Sequence, residues 1–285
     1  MNLTKTMINK SLKRIIFDRA AKTYDEYAVL QHQIIDNLID RLQFLKFDPK
    51  LILDLGSGTC SAGNLLRRKY KKTKIINLDF SEKMLLQGHA KNKNLMQWVR
   101  KNEDMYICSD FEQLPFAKNS FDMVWSSSSI QWASDIEQLL KGVLNALKPG
   151  GLFIFSSFGP ETLFELNQIS KNIFNKSTTI HFIDMHDIGD LLLNLGFQNP
   201  VLDRENFVMT YQHPSDLFKD LKKIGATNGN SDDFKGMKGR GYLQKIIHEY
   251  SNYKKDNLYP ASYEVIYAHA WKPHNTDNLK PINFV

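Results

Sequence analysis

"LDLGSGTC", residues 53 to 60, is the stretch that decides how the chain is read. The short apolar run "LILDL" (51 to 55) has the look of a buried strand, and Gly56 and Gly58 follow at once. A strand that enters such a turn exposes backbone amides that a ligand can approach closely. At the carboxyl edge of an open parallel sheet, that is where nucleotides bind. The dinucleotide fingerprint G-x-G-x-x-G is not completed here, because Ser61 falls at its last position; Cys60, just before it, stands where a nucleotide-type loop often carries a third glycine. Cys60 is expected to take an ordinary backbone angle, with a buried thiol that packs rather than reacts; any crowding is expected on the ligand's side of the turn. Asp54, just before the turn, suits a cationic ligand better than a pyrophosphate.

Outward from the turn, "KIINLDF" (74 to 80) reads as the second strand and ends in Asp79, about 20 residues past the loop. A carboxylate at that spacing accepts the two hydroxyls of a ribose. The alternative is plainer: the glycines only tighten a turn and Asp79 caps the next helix. "MYICSD" (105 to 110), "FDMVWSSSS" (121 to 129) and "GLFIFSSF" (151 to 158) continue the strand pattern, with helical spacing between them. This alternation predicts an α/β fold with a doubly wound, mostly parallel sheet. Asp110 and Phe111 follow the third strand, where a carboxylate can accept from an exocyclic amine and a ring can lie beside a purine. Adenosine together with a positive charge points to S-adenosylmethionine.

The flanks are helical. Residues 11 to 46 space Ile34, Leu38, Leu42 and Leu45 for one or two amphipathic helices, in which Tyr24 and Tyr27 suit either a lid over the ligand or a face packed on the core. Pro149, Gly150 and Gly151 end a helix before the strand at 151. Helices are predicted near 161 to 175, 184 to 195, 214 to 225 and 239 to 252, with a strand at 199 to 211. "YEVIYAHAW" (263 to 271) reads as a late antiparallel strand inserted at the sheet edge. With no repeat or linker, residues 1 to 285 form one unit: a helical lid (1 to 48), a cofactor-binding core (49 to 158) and a substrate-binding portion (159 to 285).

Composition narrows the function classes. The chain is 42% hydrophobic over 285 residues, enough for a full core, and no run approaches the ~20 apolar residues of a bilayer span. The start "MNLTKTMINKSLKR" lacks the apolar stretch of a secretory signal, so a cytoplasmic location is expected. Cys60 and Cys108 fit neither a metal spacing nor a disulfide framework. A net charge of +6 falls short of a nucleic-acid footprint but permits an acidic or anionic partner.

"LDLGSGT", "NLDFSEKML", "SDFEQLPF", "FDMVWSSSSIQW" and "LKPGG" together resemble, in order, the motifs of class I S-adenosylmethionine-dependent methyltransferases, over roughly residues 50 to 158. The resemblance implies a Rossmann-like, seven-stranded, mostly parallel sheet with an antiparallel last strand. It also implies backbone contacts to the cofactor from Gly56 and Gly58, the ribose on Asp79 beside Phe80, and the adenine at Asp110 and Phe111.

The flanks "FDRAAKTYDEYAVLQ", "SSFGPETLFEL", "HFIDMHDIGDLLLNLGF", "DLKKIGATN", "GMKGRGYL" and "YEVIYAHAWKP" extend the likeness over nearly the whole chain, to the malonyl-[acyl-carrier protein] O-methyltransferase family of biotin synthesis. That resemblance implies methylation of the free carboxylate of a malonyl thioester on acyl carrier protein or coenzyme A. Such a carboxylate is ionised at neutral pH, so the site needs desolvation and alignment but no general base and no metal. Tyr24, Gln131, Trp132 and His181 are candidates to orient it, His181 and His186 serving equally well as capping and packing groups. Lys222, Lys223, Lys238 and Arg240, with Lys219, Lys235 and Lys245 nearby, are candidates to dock an acidic carrier protein, or else form a solvated helix face. "RRKYKKTK" (67 to 74) reads as solubility surface. The chain is also similar to a mitochondrial complex I assembly factor of this fold that modifies an arginine, and a non-catalytic cofactor-binding protein is a third possibility.

Overall fold

The computed structural model describes residues 9–96, 104–175, 182–226 and 240–274. Its centre is β1 (Leu51–Leu55), where Ile52, Leu53 and Leu55 are all fully buried. Burial of successive residues means that both faces of the strand are covered, the usual condition of a parallel sheet. β2 (Lys74–Asp79), β3 (Met105–Cys108), β4 (Phe121–Ser126) and β5 (Leu147–Phe158) run parallel to it. β6 (Gln198–Tyr211) and β7 (Tyr259–Trp271) complete a seven-stranded sheet in the order β3-β2-β1-β4-β5-β7-β6.

β7 is antiparallel to both of its neighbours, which leaves β6 parallel to the rest. Contrary to the sequence reading, β7 is not the edge; it inserts between β5 and β6, and β6 is outermost. Its burial explains the position, because Val265, Ile266, Tyr267 and Ala270 are shielded on both faces as only an inner strand can be. β5 also begins earlier than expected. Leu147 already pairs with Phe121, and the glycine turn lies inside the strand rather than before it.

The helices are α1 (Lys10–Ala20), α2 (Tyr24–Tyr27), α3 (Val29–Arg41), α4 (Ala62–Lys69), α5 (Glu82–Met96), α6 (Ile136–Ala146), α7 (Phe164–Phe174), α8 (Met185–Asn194), α9 (Pro214–Lys223) and α10 (Arg240–Tyr250). On one face of the sheet, Leu30, Ile34 and Leu38 of α3 and Leu66 of α4 pack on Ile52, Met123 and Trp125. On the other, Leu139, Leu140 and Val143 of α6 and Ile188 and Leu192 of α8 pack on Leu53, Leu55 and Val124. None of the described helices is long and apolar enough to cross a membrane.

The amino-terminal helices are laid over the carboxyl ends of the strands. Lys13 of α1 is buried, donates to the Gly225 carbonyl at 2.9 Å and stacks over the Trp132 ring at 3.3 Å. Phe17, one turn on, meets Phe80 and Trp132 edge to face, each at 5.7 Å between centroids. The basic run at 67 to 74 is not simply surface, since Arg67 is bound to Asp104 at 2.6 Å with both side chains largely buried.

Leu38→Ala should remove a fully buried α3 anchor and lower the free energy of unfolding by about 2–5 kcal/mol. Urea titration checks this as a lower midpoint at unchanged slope.

Candidate active site

β1 and β2 deliver two buried carboxylates, and the glycine loop wraps the second. Asp79 accepts from the Gly58 amide with one oxygen and from the Ser81 amide with the other, both at 2.8 Å. Burial pushes this acid up to about 6, against the pull of those amides. Each oxygen keeps a second lone pair, so the carboxylate can still accept two hydroxyls. Asp54 is pushed higher, to about 8, by burial and then by the nearby charges of Asp79 and Asp104. Its Oδ2 is buried with no hydrogen-bond partner.

Gly56 and Gly58 both have positive φ, 69° and 53°. A Cβ on Gly56 would lie 2.3 Å from Ser129 Oγ, so the position admits glycine alone. At Gly58 no atom lies within 4 Å of where a Cβ would stand, which leaves the room a ligand needs. Cys60 departs from its expectation. Its φ is 58°, in the left-handed region that costs an ordinary residue about 1–2 kcal/mol. The crowding also falls on the far side, because a Cβ on Gly88 of α5 would come within 2.5 Å of Cys60 Sγ, and Cys60 is not among the residues lining the cleft. Burial pushes its thiol well up, so it packs and does not react.

A cleft opens over these residues and brings together Asp54, Gly56, Gly58, Asp79, Phe80, Phe111, Tyr24, Gln131 and Trp132. Phe80 and Phe111 lie 6.3 Å apart and nearly edge to face, giving an angled aromatic wall beside Asp79. Asp110 is not in the lining; Lys10 binds it at 2.6 Å and Glu112 at 2.9 Å, fastening α1 to the end of β3. His181 and Lys238 lie outside the described residues, and Arg240 is the first residue of α10, its side chain outside the described set.

The lid is tied down by acids that the sequence did not single out. Asp18 accepts from Ser81 Oγ at 2.6 Å, and Asp25 from Thr59 Oγ1 at 2.5 Å and from Lys91 at 2.7 Å. Tyr24 lines the cleft between them, and burial, with the charges of Asp79 and Asp25, pushes its hydroxyl well up. It therefore stays protonated and is available as a donor. Gln131 donates to the Ser128 carbonyl at 2.7 Å, and its Oε1 is buried without a partner, so it offers the cleft an acceptor. No group of three or more His, Cys, Asp or Glu among the described residues is placed to hold a metal.

Residues 53–155 match the model of the methyltransferase domain family. The malonyl-[acyl-carrier protein] O-methyltransferase of Methylovorus sp. (strain MP688) is 40% identical over 98% of this chain and 95% of its own length. The chain belongs to the malonyl-[acyl-carrier protein] O-methyltransferase family. The enzyme of the same name from Gallionella capsiferriformans is 38% identical over 95% of this chain and 93% of its own length. Among solved structures, the YcgJ protein of Bacillus subtilis superposes with a TM-score of 0.59 at 15% identity, over 86% of this chain and 100% of its own. A phosphoethanolamine N-methyltransferase of Haemonchus contortus in complex with S-adenosyl-L-methionine gives 0.55 at 18% identity, over 90% of this chain and 57% of its own.

This methyltransferase depends on S-adenosylmethionine, and the cleft fits that group. The unpartnered Asp54 oxygen suits the cationic methionine end, the free lone pairs of Asp79 suit ribose hydroxyls, and the aromatic wall suits a purine.

Asp79→Ala should abolish binding of S-adenosylhomocysteine in calorimetry; unchanged affinity would refute the ribose assignment. Asp54 makes a second, pH-linked demand. Raised to about 8, it holds its proton in the empty cleft at pH 7, and a cationic ligand favours the carboxylate and expels that proton. Affinity should therefore strengthen between pH 6 and 7, below the range where an α-amino group titrates. Calorimetry at pH 7 in buffers of different ionisation heat should register proton release, and Asp54→Asn should abolish it.

Proposed function

We propose that the protein transfers the methyl group of S-adenosylmethionine to the free carboxylate of a malonyl thioester on acyl carrier protein, the step that leads into the pimeloyl half of biotin. One observation carries the reading: the likeness to enzymes of that name runs end to end, through the lid and the carboxyl-terminal half as well as the cofactor core.

The cofactor supplies a methyl group made electrophilic by a positive sulfur. What the chain must do is present an anionic oxygen in line with it, in a dry place. The geometry suits an acceptor that arrives already ionised. Asp79 is engaged by two amides, and with the cofactor in place Asp54 is committed to its cationic end, so neither is disposed to deprotonate a neutral nucleophile. Tyr24, held protonated, can donate to a carboxylate without a full opposing charge, which would blunt its nucleophilicity. α1 and α2 exclude water, and anion and cation attract more strongly in the low dielectric so created. Lys13 clamps Trp132 from above and makes it part of that roof.

Docking of the carrier protein is assigned to the end of α9. Lys222 and Lys223 are exposed there, and Ile224 and Ala226, just beyond, line the cleft. The Lys223 ammonium lies over the Tyr27 ring at 5.5 Å, whereas Lys219 is already tied to Asp216 at 2.7 Å. Neither ammonium has a carboxylate partner among the described residues, and both stand beside the mouth through which a malonyl arm would enter.

Incubation with methyl-labelled S-adenosylmethionine should place base-labile label on malonyl carrier protein and not on succinyl carrier protein. No label on any carrier protein would sink the reading. Lys222→Glu with Lys223→Glu should raise KM for malonyl carrier protein by about tenfold at low salt and leave cofactor affinity unchanged, the difference shrinking as salt is added.

A further inference from the structure

Among the described residues that line the cleft, three carry a buried side-chain atom without a hydrogen-bond partner: Asp54 at Oδ2, Gln131 at Oε1 and Trp125 at Nε1. Two are acceptors. Trp125 Nε1 is the donor, and no proposed step has yet used it. The indole is fully buried in β4, where a phenylalanine would fill a similar space without an orphaned N–H. Leaving such a donor unpaired costs about 1–3 kcal/mol, so its presence asks for a reason.

The register supplies one. Asp54 of β1 and Trp125 of β4 are direct partners across the parallel pair, so their side chains leave the same face of the sheet on strands about 4.8 Å apart. They do not satisfy one another, since both atoms lack a partner. An unpaired acceptor and an unpaired donor, side by side at the floor of one cleft, match a ligand that carries a cation and an anion on the same carbon. We propose that Trp125 Nε1–H reads the α-carboxylate of the cofactor's methionine moiety while Asp54 takes the adjacent α-ammonium, the two strands forming one receptor for the amino-acid zwitterion.

The assignment rests on S-adenosylmethionine as cofactor but not on the identity of the methyl acceptor. A donor is the right chemistry for a carboxylate, and the indole N–H is well suited because it carries no charge to compete with Asp54. The arrangement also separates two tasks in the pocket. Asp79 and the aromatic wall hold the nucleoside, and the β1–β4 pair sets where the sulfur lies along the cleft by gripping the far end of its chain.

Trp125→Phe removes the N–H and keeps an aromatic ring. Calorimetry without any methyl acceptor should show S-adenosylhomocysteine binding about tenfold more weakly to the variant, and 5′-methylthioadenosine, which has no amino-acid end, binding equally to both. Decarboxylated S-adenosylmethionine keeps sulfonium and ammonium and lacks only the carboxylate; the wild-type preference for the intact cofactor over it should collapse in the variant. Equal losses for all ligands, or none, overturn the proposal. So does unchanged cofactor binding with a raised KM for the malonyl substrate, which would move the donor to the acceptor's carboxylate. Should the variant fail to fold, the Trp125 indole 15N–1H resonance of the wild-type protein carries the same test. It should shift with S-adenosylhomocysteine and hold its place with 5′-methylthioadenosine, and a shift common to both ligands, or absent with both, overturns the assignment. Because the binding and resonance readouts involve no methyl transfer, failure there leaves the malonyl reading standing, and failure of that reading leaves this one.

Discussion

Two carboxylates buried at the ends of adjacent strands are the constraint around which this molecule is organised. Asp54 and Asp79 each lose their water, and the charge of Asp79 raises Asp54 further. Such a pair is unfavourable in a fold that must also bury its apolar core, and the surrounding structure divides the problem in two. Asp79 is kept largely ionised by amides of the glycine loop and of the turn into α5. Asp54 is left without a partner at Oδ2 and relieves itself by holding a proton. The ligand that resolves the second half is cationic at one end and hydroxylated at the other, which is a description of the cofactor.

The lid follows from the same constraint. A cleft open to solvent would rehydrate both acids and lose the discrimination between them. α1 and α2 close it with polar ties at the rim and aromatic contact in the middle: Asp18 on Ser81, Asp25 on Thr59 and Lys91, Lys10 on Asp110, and Phe17 between Phe80 and Trp132. The ties are charge-assisted or hydroxyl bonds near the surface, individually weak and open to exchange with water. That is the strength expected of a cover that must admit a cofactor and let a carrier-borne arm reach it.

How much of this was legible in the sequence depends on the range of the interaction. Glycines before a helix, an acid ending the next strand and alternating strands and helices are local patterns, and they located the cofactor core and the sheet class. Lateral order is not local. Periodicity shows that 263 to 271 is a strand but does not reveal that it is flanked on both sides, so β7 was read as an edge. Pairings across the chain were hidden for the same reason: nothing near Asp110 in the sequence shows that Lys10, 100 residues away, binds it. Cys60 failed differently. Nothing in its letter says that the turn keeps its positive φ without glycine, or that Gly88 on a later helix leaves space for the sulfur.

The choice of nucleophile fits the electrostatics of the closed cleft. A neutral amine or hydroxyl would have to shed a proton during transfer, and the acids at the floor are either engaged by amides or committed to the cofactor's cationic end. A carboxylate brings its negative charge with it, and on reaction that charge and the sulfonium's vanish together. Low dielectric, which makes Asp54 hold its proton until the cofactor arrives, is then the same property that favours transfer, because the transition state carries less separated charge than the reactants. Burial that is a burden for the empty protein becomes the source of its reactivity once both ligands are inside.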